Sequence, residues 1–256
     1  MTGNRSTAVM QQRSEASDSL DDFPTHPWAT RALCEMLQAL GFEISDHVAC
    51  DPACNRGFMA EPLREYFKDV IATDIHDYGY EAMESQADFL LDFPFSGGEV
   101  DWIITNPPFR IADDFIRNAL NVANIGVAVL VRVAFDEGLD RYQRLFKDLP
   151  ESFSFPFVER VPLHRGKLRD PKRKYWDPKA NEGRGAWKKP STATAYQWLV
   201  WLRDPADGPS IKLRIAPCRD RLIKSGDYPI RYDDEEGIFN NAEVLPLVDL
   251  MEGAND

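Results

Sequence analysis

The sequence predicts an α/β fold: a mostly parallel sheet flanked by helices, with an antiparallel strand at one edge. Three observations carry that reading. Short apolar, partly β-branched runs end in an acid or a proline turn, at Asp51, Asp74 and Asn106-Pro107-Pro108, and they alternate with stretches of helical period. Gly126 to Val131 is apolar without alternation, which suits a strand buried on both faces of a parallel sheet. Beyond Phe153 two strand-like stretches are separated by a long polar segment, which suggests an antiparallel pair at a sheet edge.

In chain order, Leu33, Met36, Leu37 and Leu40 recur at helical spacing, and Gly41 is placed to cap that helix. His47–Cys50 reads as a short strand ending at Asp51, and Glu61–Phe67 as a helix with Pro62 tolerated in its first turn. Asp69–Thr73 is a second strand, and its terminal Asp74 follows Gly57 by 17 residues, near the roughly 20 expected of a ribose-binding acid. Strand, tight turn with small residues, helix and acid-ended strand make the βαβ nucleotide-binding layout. A short helix is expected near Glu81–Gln86 and a third strand over Ala87–Pro94. Ile103, Ile104 and Thr105 suit a buried strand. Pro107 and Pro108 stop it, because they lack the N–H and fix φ. Asn106 and Phe109 therefore stand on a stiff turn at the carboxyl end of a strand, where open α/β sheets bind ligands. Ala112–Ala123 and Leu139–Leu149 have helical periodicity, Phe153, Phe155 and Phe157 alternate, and Ser191–Trp201 reads as a strand.

The 256 residues suffice for one domain with additions or two small ones. No apolar run approaches the roughly 20 residues that span a bilayer, and residues 1–20 lack the apolar core of a signal peptide. The chain is therefore expected to be cytoplasmic, with no membrane partner and a disordered leader over 1–20. Cys34, Cys50, Cys54 and Cys218 form no Cys-x-x-Cys pair and have no histidine cluster nearby, so no metal site is expected. The formal net charge is −12. From His164 to Lys189, ten Lys or Arg stand against three Asp or Glu, a net of +7 that leaves −19 on the remainder. Such segregation points to one polyanion-facing patch on an otherwise repelling body. From Asp233 to Asp256 there are eight acids and no base, the composition of a solvated tail.

The turn Asp51-Pro52-Ala53-Cys54-Asn55-Arg56-Gly57, followed by Asn106-Pro107-Pro108-Phe109, resembles the S-adenosylmethionine-dependent N6-adenine DNA methyltransferases. In that family an Asp-Pro-Ala-Cys-Gly-x-Gly turn precedes an Asn/Asp-Pro-Pro-Tyr/Phe turn. The resemblance spans about Phe23 to Trp201 and is nearest to the solitary enzymes of phages and prophages, which also carry a Trp-rich strand like Trp198–Trp201. It implies a Rossmann-like class I methyltransferase fold, S-adenosylmethionine as cofactor and double-stranded DNA as partner; it is silent on oligomeric state. It also implies a catalytic domain over 21–203, with the basic stretch 164–189 as a DNA-contacting insertion, and a C-terminal extension over 204–256. One departure is Asn55, which stands where the family has its first glycine. Asparagine visits left-handed backbone geometry at low cost, so the turn is still expected to form.

Carried over residue by residue, the resemblance gives Asp51, Ala53 and Gly57 the methionine half of the cofactor. Asp74 takes the ribose hydroxyls, Asp88 the adenine amino group, Phe89 an adenine acceptor through its N–H, and Thr25 a place in the N-terminal cofactor loop. Asn106 and Pro107 would offer two carbonyl acceptors to the exocyclic amine, Pro108 would stiffen the turn, and Phe109 would stack on the flipped base. Arg165, Lys167, Arg169, Lys172, Arg173 and Lys174, interleaved with Trp176 and Trp187, would supply phosphate contacts and stacking. The same turn also serves methylation of ribosomal RNA guanine N2 or of a protein glutamine amide. A catalytically silent cofactor- or DNA-binding module is a third reading, for which Asn55 is the supporting residue.

Overall fold

Pro27 fixes where the first helix starts, because the first turn needs no N–H from it. In the computed structural model, which describes residues 21–91, 93–95, 98–205 and 208–228, α1 runs Pro27–Ala39 and Gly41 follows at φ +91°. The expected leader and the acidic run from Asp233 lie outside the described residues. The chain continues through β1 (Val48–Asp51), α2 (Ala60–Leu63), β2 (Asp69–Asp74), β3 (Ser85–Gln86), β4 (Trp102–Thr105), α3 (Ala112–Val122) and β5 (Gly126–Arg132). Then come α4 (Leu139–Arg141), β6 (Phe153–Pro156), β7 (Tyr175–Asp177), α5 (Ala180–Gly183), β8 (Ala186–Lys188), β9 (Tyr196–Leu202), β10 (Ile211–Lys212) and α6 (Arg219–Leu222).

Eight strands form one sheet in the order β10-β6-β9-β5-β4-β1-β2-β3. All neighbours pair in parallel except β9, which runs antiparallel to both β5 and β6. The expected antiparallel pair is thus β6 and β9, but it is not at the edge: β10 covers β6, and β9 is the third strand in. Alternation along each strand sorts side chains to two faces. Trp102, Ile104, Ala128, Leu130, Trp198 and Val200 pack with Leu33 and Leu37 of α1. Ile103, Val127, Val129, Leu199 and Trp201 pack with Phe115, Ile116 and Ala119 of α3. The Trp-rich strand β9 serves both layers: Trp198 donates its indole N–H to the Ala29 carbonyl at 3.1 Å, and Trp201 to the Leu149 carbonyl at 2.9 Å. Each indole keeps a polar partner while burying a large apolar ring, worth about 1.5–3 kcal/mol in transfer alone for a side chain of that class.

Three local expectations are corrected. Glu81–Gln86 forms a turn and the two-residue β3, not a helix, and six residues without a cap cannot repay helix nucleation. Residues 88–91 form a turn, not a third strand: the Asp88 carboxylate accepts the Leu90 N–H at 2.9 Å, which competes with a ladder. The helix expected over Leu139–Leu149 is α4 followed by one wider turn, Tyr142–Phe146, closed by Lys147 N–H donating to the Tyr142 carbonyl at 2.9 Å. Beyond residue 203, β10 extends the sheet, and Ile215 and Leu222 join the α1 face of the core. No helix among the described residues is long and apolar enough to cross a membrane.

Candidate active site

Strand order reverses between β1 and β4, so the crevice beyond their carboxyl ends is the switch point of the sheet. A cavity of about 320 Å³ opens there, at the lower end of the roughly 300–1,000 Å³ of small-molecule sites. Eight of the residues singled out by sequence line it: Thr25, Asp51, Ala53, Asp74, Asp88, Phe89, Asn106 and Pro108. Three strand ends, the turn at 88–91 and the segment before α1 bring them together.

The turn after β1 forms as expected. Asn55 takes φ +52°, and its backbone N–H donates to Asp74 Oδ2 at 2.9 Å. The His76 N–H donates to Asp74 Oδ1 at 2.9 Å, so the carboxylate at the end of β2 is aimed by two backbone donors. Burial nevertheless raises the Asp74 carboxyl above its usual range, against the lowering effect of those two donors. The Asn55 side chain is held by Asp22, to which its Nδ2 donates at 2.9 Å, and its Oδ1 accepts the Arg56 N–H. Asp51 is fully buried, and desolvation pushes its carboxyl up to about 7, although the Ala53 N–H donates to it at 3.3 Å. Cys50 and Cys54 beside it are free and buried, with burial raising both thiols.

On the other wall, Asn106 Nδ2 donates to the Phe23 carbonyl at 2.9 Å. Its Oδ1 is buried and has no hydrogen-bond partner among the described residues. The donation fixes which end of the amide is which, and leaves an unpartnered acceptor on a residue of the cavity wall. Phe109 does not line the cavity. Its N–H donates to Asp21, its ring packs on Phe23 at 5.5 Å between centroids, and the Arg132 guanidinium lies over that ring at 4.6 Å. Pro107 is buried behind the turn. Gly57 also lies outside the lining: at φ +80° it sits against the Tyr80 ring, where a Cβ would come within 2.3 Å of a ring carbon. The missing Cβ therefore lets the turn pack closely against Tyr80.

Phe89 is buried, and its carbonyl accepts from Asn118 Nδ2 at 2.6 Å, which sets the orientation of that peptide. Sequence reasoning missed several apolar or aromatic wall residues, among them Phe58, Ile75, Tyr78, Ile111 and Phe115. Ile75 had a signal: it directly follows the strand-end Asp74. Among the described residues no group of three or more His, Cys, Asp or Glu is placed to hold a metal ion.

The basic stretch contains a hairpin in place of the expected long loop. β7 and β8 pair antiparallel with Trp176 opposite Trp187, their rings 5.8 Å apart and edge-on. Gly185, at φ +79°, lets the Trp176 ring approach the backbone. Arg169 stacks on Tyr175 at 3.6 Å. Arg165, Lys172, Arg173 and Lys174 are exposed, Lys167 and Arg169 half-buried, and Trp187 is 42% exposed. None of these residues lines the cavity. One backbone bond ties the stretch to the site: Gly166 N–H donates to the Asp22 carbonyl at 2.8 Å, while the Asp22 carboxylate holds Arg56 and Asn55.

No protein-family model matches the chain, and no curated protein matches it in sequence. Among solved structures, it is similar to a protein of Listeria monocytogenes assigned to the class I S-adenosylmethionine-dependent methyltransferases. That pair superposes with a TM-score of 0.53 at 10% identity, over 76% of this chain and 67% of the other. Lesser similarity links it to a modification subunit assigned to a type I restriction enzyme of Vibrio vulnificus, with a TM-score of 0.48 at 16% identity over 82% of this chain and 49% of that one. A protein of Pyrococcus horikoshii assigned as an RNA methyltransferase gives 0.45 at 14% over 70% and 84%. Only the first superposition carries weight, and at that identity it speaks to fold alone. Together with the sheet order and its single reversed strand, it establishes a Rossmann-like class I methyltransferase fold.

Proposed function

We propose that this protein transfers a methyl group from S-adenosylmethionine to the exocyclic N6 of adenine in double-stranded DNA. The observation that carries the reading is the buried, unpartnered Oδ1 of Asn106 at the wall of a cavity that also gathers Asp51, Asp74 and Asp88. The residues fit the cofactor. Carboxyl groups of Asp51, Asp74 and Asp88 offer acceptors and negative charge to a ligand carrying a diol, amino groups and a sulfonium, and Ile75, Ile111 and Phe115 offer apolar surface to its purine. The cofactor supplies the reactive methyl group, so the chain has orientation and electrostatics to provide.

Each oxygen of Asp74 already accepts one backbone N–H and has a second acceptor site left, enough to take both hydrogens of a vicinal diol. Asn106 Oδ1 accepts one hydrogen of the target amine and the Pro107 carbonyl the other. That pairing favours a pyramidal nitrogen with a localised lone pair over one delocalised into the ring. The bond from Asn106 to Phe23 holds the acceptor in place before substrate arrives, so little reorganisation is needed at the moment of transfer. A target base must leave the duplex at a cost of a few kcal/mol, which phosphate contacts from the exposed basic residues offset. The left-handed Asn55 and its tether to Asp22 weigh against a silent module, because the cofactor turn keeps its shape.

Purified protein given S-adenosylmethionine labelled in the methyl group, together with unmodified duplex DNA, ribosomal RNA and a glutamine-bearing protein substrate, tests the proposal. Label is expected in DNA as N6-methyladenine. Label in RNA or protein alone would overturn it.

A further inference from the structure

Arg132 ends β5, and β5 lies beside β4, whose own end leads into the Asn106–Phe109 turn. Its guanidinium covers the Phe109 ring at 4.6 Å, its Nε is buried with no hydrogen-bond partner, and its guanidinium makes no ion pair among the described residues. Several other arginines of this acidic chain are neutralised: Arg31 by Glu65 and Asp227, Arg56 by Asp22, Arg141 and Arg144 by Asp113, Arg221 by Glu35. A cation held by an aromatic face and left without a counter-charge, in a chain of net charge −12, is completed by an anion from outside. Asn106 and Pro108 line the cavity, while Phe109 and Arg132, both half-buried, pack together beside that turn without lining it.

Resting on the DNA-adenine reading, we infer that Arg132 binds the phosphodiester next to the flipped adenosine and so positions its base against Asn106. A nucleotide whose amine meets Asn106 carries its phosphate one sugar away, and Arg132, over the Phe109 ring at the end of the same turn, is an unpaired cation beside that path. The planar guanidinium fork matches two phosphate oxygens at once, which an ammonium cannot do. The ring contact holds the fork in place and reduces the entropy lost when phosphate arrives.

The test compares wild type with Arg132→Ala, Arg132→Gln and Arg132→Lys. Removing the charge is expected to leave affinity for S-adenosylmethionine within about twofold and to lower kcat/KM on unmodified duplex DNA at least tenfold. It is also expected to flatten the dependence of log binding constant on log salt by about 0.9, one phosphate contact. Arg132→Lys should restore the salt slope without the full rate. If Arg132→Ala fails to fold, Arg132→Gln gives the same readings. A wild-type rate and slope in the neutral variants, or equal loss of cofactor affinity, would overturn the inference while leaving the DNA-adenine reading intact. Absence of DNA methylation by the wild type would be the failure of that reading itself.

Discussion

Asn106 donates from Nδ2 to the backbone carbonyl of Phe23 at 2.9 Å, across 83 residues of sequence, and its own carbonyl oxygen is left buried and unpartnered. A buried acceptor without a partner costs about 1–3 kcal/mol, a cost the fold sustains at the wall of its ligand cavity. Removing the amide with Asn106→Ala is expected to lower methyl transfer by about 10²–10³, the scale on which one preorganised polar group matters, with cofactor affinity nearly unchanged. Calorimetric titration with S-adenosylhomocysteine beside a transfer assay separates the two. Loss of binding together with transfer would make Asn106 a structural residue.

Asp51 gives a pH signature. Burial pushes its carboxyl up to about 7 from a usual 3.8, so between those values the folded chain holds a proton that the unfolded chain has released. Stability from this group therefore falls as pH rises from about 4 to about 7, by at most about 4 kcal/mol. Asp51→Asn should match wild type near pH 4 and be more stable above pH 7, as read from urea unfolding at both. A cation bound beside Asp51 favours the ionised form, so cofactor affinity of the wild type should weaken below about pH 7 and that of Asp51→Asn should not. Equal stability at both pH values would remove Asp51 from this role.

The hairpin gives a third expectation. Gly185→Ala would put a Cβ 2.2 Å from the Trp176 ring at φ +79°, which disrupts the Trp176–Trp187 pair without reaching the cavity. DNA affinity should fall at unchanged cofactor affinity, measured by fluorescence anisotropy and calorimetry. Neutralising Lys172, Arg173 and Lys174 should flatten the salt slope by up to about 2.7. An unchanged slope would take this surface out of DNA binding.

Much of the site was legible because its parts sit where strands stop. Asp51, Asp74 and Asn106 end apolar runs, and strand ends at a switch point converge on one crevice whatever the helices do. Asn55 was legible because few residues accept positive φ, and it takes φ +52°. Phe109 was harder to place: its residue type suggests stacking on a base, and its ring packs on Phe23 with Arg132 over it. The two-residue strands β3 and β10 were invisible, because a period of two needs more than one repeat to register. Phe115 read as a helix position, and only the tertiary packing of α3 brings it and the preceding Ile111 to the cavity. The β7–β8 hairpin was hidden by charge, since its order comes from one Trp pair and a glycine in a polar stretch.

The most direct measurement is long-read sequencing of genomic DNA from a methylation-deficient host expressing the full chain, beside the same host expressing Asn106→Ala. N6-methyladenine at a fixed sequence context with the wild type, and none with the variant, is the expected result. Unmodified adenine in both, with folded wild-type protein that binds S-adenosylmethionine, would contradict it.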